Sequence, residues 1–301
     1  IEFSMSSDDL TPGGIANGDF SSDDDYEGID PAEMDEYSRA AQLVFQELSV
    51  RLGEGNPQPR LEPTRRVVEL LGDVHRAYPV IHIAGTNGKT TTVEMTAKIL
   101  QTAGLKAVAC GNVGDTVIDA VDRTEPYEYL VLELSSFQLH WAKQAQFVSA
   151  AILNIADDHL DWHGSFDSYA DAKFSILDRC EIAILNADDG EIVTRANRFT
   201  DRKVFFSLET PAPGEIGVVE NLLVDRAFVA DPQQASMICE LADIKPTVPH
   251  NVSNALAAAA LARSIDISHE VIQSALQEFR PGRHRIETVY ESDSISWVDD
   301  S

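Results

Sequence analysis

The sequence is short of cysteine, of cations and of long apolar runs, and each shortage excludes something. Its three cysteines (Cys110, Cys180 and Cys239) are odd in number, widely spaced and never in a Cys-x-x-Cys pair. That argues against a disulfide framework and predicts buried free thiols in a reducing compartment, hence a cytoplasmic protein. The longest apolar run, Ala255–Ala262, falls well short of the roughly 18 residues a membrane span needs, and no N-terminal stretch couples a basic start to an apolar segment. No membrane association is expected. Only 23 Lys and Arg stand against 50 Asp and Glu, a formal charge of −27. Nucleic-acid binding, which needs basic patches, is excluded on that ground.

What is present is an ordinary globular composition, 44% apolar and 24% charged, with 301 residues, enough for a sizeable buried core. The acidity is partly local: no Lys or Arg precedes Arg39, while the stretch before it carries acids from Glu2 to Glu36. Residues 1–30, rich in Asp, Ser and Gly, cannot bury enough surface to offset their ordering entropy and are expected to be a disordered acidic tail. Residues 31–79 are expected to be a helical N-terminal segment: Tyr37, Ala40, Ala41, Val44, Phe45 and Leu48 recur at helical spacing, and after a loop rich in Gly, Asn and Pro a second helical run carries Val67, Val68, Leu70 and Leu71. Beyond it, β-rich runs alternate with helical ones. Strands are expected at Val80–Ala84, Ala107–Cys110, Tyr129–Leu134, Ala150–Ile155, Ile182–Asn186 and Val204–Ser207. Helices are expected at Thr91–Ala103, Ser168–Leu177, Asn251–Ser264 and His269–Phe279. The alternation predicts an α/β fold, a mostly parallel sheet flanked by helices, with a small appended β hairpin over Ile216–Val229. A further strand pair, Ile286–Tyr290 and Ile295–Val298, follows Pro281-Gly282.

The residues Gly85-Thr86-Asn87-Gly88-Lys89-Thr90-Thr91 lie between a strand and a helix and read as a phosphate-binding loop. Gly85 and Gly88 let the backbone curl so that its N–H groups face phosphate oxygens, and the helix N-terminus adds positive potential. Lys89 supplies a compact charge for the β and γ phosphates, and the Thr90 hydroxyl can ligate magnesium. ATP and Mg2+ are therefore the expected cofactors. The spacing departs from GxxxxGK[ST], since only Thr86 and Asn87 separate the two glycines.

That loop resembles the hallmark of the Mur ligase superfamily. Gly111–Gly114, Leu132–Leu139, Asn154–Asp161, Tyr169–Lys173, His250–Ala258 and Gly282–Glu287 follow in order, and over residues 85–301 they are similar to the branch that adds D-glutamate to UDP-N-acetylmuramoyl-L-alanine. Residues 37–85 resemble instead the N-terminus of folylpolyglutamate/dihydrofolate synthases. The resemblance implies a P-loop central domain over 80–280 and the start of a C-terminal ligase domain over 281–301. It implies an ATP-dependent amide ligase of peptidoglycan synthesis acting through an acyl phosphate, in a truncated or hybrid form and as a monomer. A folate ligase using L-glutamate and a non-catalytic ATP-binding fragment are the alternatives.

Roles carried over by the resemblance are Thr90 and Glu133 on one magnesium, and His159 with a carbamylated Lys173 on a second. Lys89, Glu133, His159 and Lys173 form the catalytic set. Asn251 and Asn254 approach the adenine side of ATP, and N-cap chemistry is the alternative for Asn251. Asn112 approaches substrate or phosphate, and Arg285 and Asp299 contact nucleotide. His140, His163 and His250 are read as structural or solvated, and Trp162 as core.

Overall fold

The computed structural model describes residues 78–121, 123–141, 145–199, 202–282, 287–292 and 295–299. The expected acidic tail, all but the last two residues of the 31–79 helical segment, and Arg285 lie outside the described residues; Asp299 is described in its backbone only.

The first strand, β1 (Val80–Ala84), has all five residues buried, as a central parallel strand requires, and its Val and Ile side chains suit a pleated surface. The chain turns directly into α1 (Lys89–Thr102) and returns as β2 (Ala107–Gly111). A short α2 (Val117–Val121) leads to β3 (Tyr129–Glu133), and α3 (Ser136–Trp141) leads to β4 (Phe147–Ile152). Next come α4 (Leu160–His163), α5 (Phe166–Phe174), β5 (Cys180–Asn186), α6 (Gly190–Ala196) and β6 (Arg202–Phe206). Three more strands follow: β7 (Glu215–Val219), β8 (Leu222–Asp225) and β9 (Ser236–Glu240). Two helices, α7 (Pro249–Arg263) and α8 (His269–Glu278), precede a separate antiparallel pair, β10 (Glu287–Ser292) and β11 (Ile295–Asp299).

Nine strands join in one sheet of order β2-β3-β1-β4-β5-β6-β7-β8-β9. It is parallel from β2 to β7 and antiparallel over β8 and β9. The hairpin expected at 216–229 is thus the continuation of the main sheet. The strand β9 was not anticipated, because Ser236–Glu240 shows no clean alternation of buried and exposed residues. The fourth strand also lies three residues earlier than the expected Ala150–Ile155. Its ladder with β1 ends at Ile152 opposite Ala84. Beyond that point the backbone serves other partners: Asn154 O accepts from Thr86 N, and Ile155 N donates to the Asp189 carboxylate.

Helices cover both faces. On one side α1, α7 and α8 pack Val93, Ile99, Leu256, Leu261, Ile272 and Leu276 against Ile81, Ile83 and Ile184. On the other, α5 and α6 press Tyr169, Phe174 and Ile192 toward Ala84, Ile152 and Leu185. The run Ala255–Ala262 is buried on all sides, which alanine permits by letting neighbouring backbones approach closely. No helix among the described residues is long and apolar enough to cross a membrane. Of the three cysteines, Cys110 and Cys239 are buried and Cys180 is half-buried.

A buried carboxylate ties the antiparallel margin to the last two helices. Asp225 accepts from Arg263 Nε at 3.1 Å, His269 Nε2 at 2.9 Å, and the Ala227 and Phe228 amides at 2.8 and 2.9 Å. Burial alone would raise its pKa, but the hydrogen bonds from His269, the two amides and Arg263 outweigh it and hold the carboxyl below its ordinary value.

Candidate functional site

Strand order places the site. At β1 the sheet changes direction: β3 and then β2 extend to one side, β4, β5 and β6 to the other. Ligands of open parallel sheets bind outside the carboxyl ends of strands at such a switch point. Three loops meet the requirement here, those leaving β1, β3 and β4. They carry Gly85–Gly88, the segment after Glu133, and Asn154–His159.

The loop after β1 is sharply turned. Gly88 has φ 79°, in the left-handed region, and a Cβ there would run into Asn254 Oδ1. The helix begins at Lys89, two residues before the expected Thr91, so Lys89 and Thr90 belong to its first turn. Thr92 N donates to Gly88 O, the first helical bond, and the amides before it have no intrahelical acceptor. A cavity of about 170 Å³ opens there, lined by residues 86–91 and Glu133. This is the geometry of an anion cradle at a helix N-terminus. The Lys89 ammonium curls back to donate to Thr86 O at 2.8 Å.

Glu133 ends β3 and is buried, at 3% exposure. Its Oε2 accepts from Thr90 Oγ1 at 2.9 Å, and its Oε1 lies 3.5 Å from Asn112 Nδ2. Gly111 admits this approach, since its φ is 111° and a Cβ would collide with the Glu133 carbonyl oxygen. Thr90 and Glu133 therefore present adjacent hard oxygen donors, the kind magnesium prefers. No group of three or more His, Cys, Asp and Glu side chains gathers into a metal cluster among the described residues.

Lys173 projects from α5 into the same region and is 3% exposed. Its Nζ donates to Gly85 O at 2.7 Å and lies 4.7 Å from the centre of the Tyr169 ring. Burial, and then the nearby Lys89 charge, push its pKa down to about 7, against the opposing pull of Asp158 and Glu133. A lysine so placed is readily present as the neutral amine. His159 caps α4 with φ 50°, packs 4.8 Å from the Phe137 ring and lies 3.5 Å from Asp158.

Among the expected residues, the loop, Glu133, Asn112, Lys173 and Asn254 are thus joined by contacts, with His159 on the adjoining loop. Asn251 is not an N-cap. The helix starts at Pro249, and the Asn251 amide donates to Pro246 O at 2.9 Å while its Oδ1 stays buried without a partner. Trp162 is only half-buried, in an aromatic group with Phe137 and His163, and is not a core residue. His163 has a structural contact, Nε2 to Ser136 Oγ at 3.0 Å, and His250 is exposed.

Two residues at the site had no assigned role. Asn154 Oδ1 accepts from the amides of Thr86 at 3.0 Å and Asn87 at 2.7 Å, and its Nδ2 returns a bond to Asn87 O at 3.0 Å. Tyr169 OH lies 3.0 Å from Thr86 Oγ1. Both head short motifs in the sequence, which was the only signal available.

A parallel sheet with a short Gly-Thr-Asn-Gly-Lys-Thr loop at its switch point, a buried glutamate on the loop threonine and a buried lysine behind it defines an α/β domain of the phosphate-loop kind. The Mur ligase middle domain family matches residues 83–262, and the chain belongs to that family. It is 42% identical to the UDP-N-acetylmuramoylalanine–D-glutamate ligase of Streptomyces coelicolor, over 88% of this chain and 64% of that protein. It is 47% identical to the ligase of the same name from Thermobifida fusca, over 78% of this chain and 53% of that one. The first match takes in more of the chain than residues 85–301 could supply, so part of the stretch upstream of the loop aligns with it. The chain spans between half and two-thirds of the length of these relatives. Solved structures agree on the fold: MurF from Acinetobacter baumannii superposes with a TM-score of 0.58 at 23% identity, covering 78% of this chain and 53% of that one.

Proposed function

We propose that this chain is the ATP-binding core of an ATP-dependent amide ligase that joins D-glutamate to UDP-N-acetylmuramoyl-L-alanine in peptidoglycan synthesis. The observation that carries the reading is the cavity at the start of α1, where Lys89, Thr90 and the buried Glu133 converge. The relatives named above support the choice of substrates.

In this reading the first turn of α1 binds the β and γ phosphates of ATP through its amides, and Lys89 leaves Thr86 O to neutralise them. The acceptor's terminal carboxylate attacks the γ-phosphorus, the bond to the β-bridging oxygen breaks, and an acyl phosphate and ADP result. The D-glutamate amine then adds to the acyl carbon and loses a proton, and phosphate departs as the amide forms. Residues here act by positioning and by fixed charge rather than by covalent attack. A magnesium ion, when bound, supplies positive charge to the transferring phosphoryl group. Thr90 and Glu133 would hold one ion, and His159 with Lys173 a second. For that role the neutral Lys173 amine adds to carbon dioxide and releases a proton, leaving a carbamate with two oxygen donors. Asn251, fully buried with an unpartnered Oδ1, and Asn254 on the same helix would lie on the adenine side of ATP in this reading.

Phosphate release is the test, run with UDP-N-acetylmuramoyl-L-alanine plus D-glutamate and, in parallel, with a dihydrofolate or folate plus L-glutamate. Release that requires the first pair and falls about 100-fold in Lys89→Ala supports the proposal. Release stimulated by the second pair alone would replace it with a folate ligase. Nucleotide binding without release under either pair would leave only an ATP-binding protein.

A further inference from the structure

The Thr86 side chain sits in the phosphate loop, and its hydroxyl bonds two neighbouring segments of the protein. Oγ1 accepts from Ala156 N at 3.0 Å, lies 3.0 Å from Tyr169 OH and reaches Ala156 O at 3.3 Å. A threonine hydroxyl has one proton and two lone pairs. One lone pair takes the Ala156 amide, and the remaining capacity is shared between Tyr169 and the Ala156 carbonyl. Its single proton is therefore engaged within the protein, by Tyr169 or by the Ala156 carbonyl. What it touches is informative. Ala156 lies in the loop that carries Asp158 and His159, and Tyr169 lies on the helix that carries Lys173. The same Tyr169 ring lies beneath the Lys173 ammonium, and Lys173 itself bonds Gly85 O on the other side of Thr86.

We propose that the Thr86 hydroxyl is a positioning group that fastens the phosphate loop to the His159 loop and the Lys173 helix, so that phosphates and the second metal are registered in one frame. Asn154 completes the fastening from the backbone side by holding both Thr86 and Asn87. This also accounts for the short spacing between Gly85 and Gly88. Bonds from the neighbouring β4 loop hold the turn. The inference rests on the nucleotide-site reading given above.

The experiment titrates the full chain with a non-hydrolysable ATP analogue, once with magnesium and once with EDTA, and compares Thr86→Val, Thr86→Ser and Tyr169→Phe. Valine keeps the shape of threonine and removes only the hydroxyl. We expect Thr86→Val to lose about tenfold in affinity with magnesium but no more than about twofold without it, the scale of one or two well-placed hydrogen bonds. Thr86→Ser restores the magnesium-dependent gain. Tyr169→Phe, which keeps the ring and its packing, shows a smaller loss of the same magnesium-dependent kind. Equal losses with and without magnesium, or none in either variant, overturn the proposal, since a merely structural role would move both affinities together. If Lys89→Ala binds the analogue as well as the unaltered chain does, the nucleotide-site reading itself fails, which is a different result.

Discussion

Two buried charge clusters in this protein are built on opposite plans. At the antiparallel margin, Asp225 is met by Arg263, His269 and two backbone amides, and Arg263 in turn donates to Ile267 O and Phe228 O. At the switch point, Lys173 bonds one carbonyl and faces one ring, and Glu133 has a threonine hydroxyl and a distant asparagine amide. The first cluster has nearly all of its hydrogen-bonding capacity filled by protein. The second has donors and acceptors still to fill, and its Glu133 lines a cavity. Buried polar networks that are complete rigidify a fold, and those that are lean and perturbed mark sites where something else must bind.

The largest expected effect tests the complete cluster. Asp225→Ala leaves the half-buried Arg263 and His269 without their anion and two amides without their acceptor, and should lower unfolding free energy by about 3 kcal/mol in a denaturant titration. Affinity for a magnesium–nucleotide complex, measured under conditions where the variant is folded, should change by less than about twofold, because nothing in the cluster reaches the phosphate loop. A nucleotide-binding defect with unchanged stability would reverse the two roles.

A third buried group, His82 in β1, belongs to neither plan and gives the next effect in size. Both ring nitrogens are buried without a hydrogen-bond partner, and the ring packs 5.1 Å from that of Phe147. Burial first, then the charges of Arg179 and Lys173, lower its pKa from 6.5 to about 3. Between those values the unfolded chain binds a proton that the folded chain refuses, so stability present above pH 6.5 is lost as pH falls. The slope is at most about 1.4 kcal/mol per pH unit for one proton. His82→Leu lacks that proton, so its urea midpoints at pH 7, 6 and 5 should fall less steeply than those of the unaltered chain. At pH 7 the two should lie within about 1.5 kcal/mol, since replacing an unsatisfied polar group by an apolar one costs little. Parallel slopes would mean that His82 is protonated in the fold.

The sequence made some of this legible and hid the rest for identifiable reasons. β1, β3 and the helices α7 and α8 were readable because their apolar runs are local signals. Lys89, Thr90 and Glu133 were readable because a strand end or a glycine turn marks them in the chain itself. Asn154 and Tyr169 were visible as motif letters, but their work depends on contacts with Thr86 across the fold, which periodicity does not encode. Asn251 suggested a cap by residue type, and only the start of α7 at Pro249 moved it inside the helix. The strand β9 escaped because a sheet margin holds its pattern loosely.

The smallest stability effect sharpens the comparison most. Lys173→Met keeps the length of the side chain and removes an amine that burial and Lys89 make costly to charge. The carbonyl of Gly85 loses a donor in exchange. The two changes oppose each other, so unfolding free energy should stay within about 1 kcal/mol of the unaltered chain or rise above it. Function should move the other way, with magnesium-dependent affinity for the ATP analogue, and any phosphate release, falling by about tenfold or more. The contrast with Asp225 is then a sign test on two buried charges in one domain. Removing the fully partnered one weakens the fold and spares the site, and removing the lean one spares the fold and weakens the site. If Lys173→Met instead destabilised the domain by as much as Asp225→Ala, Lys173 would be a structural ion like Asp225, and the switch-point cluster would lose its claim to chemistry.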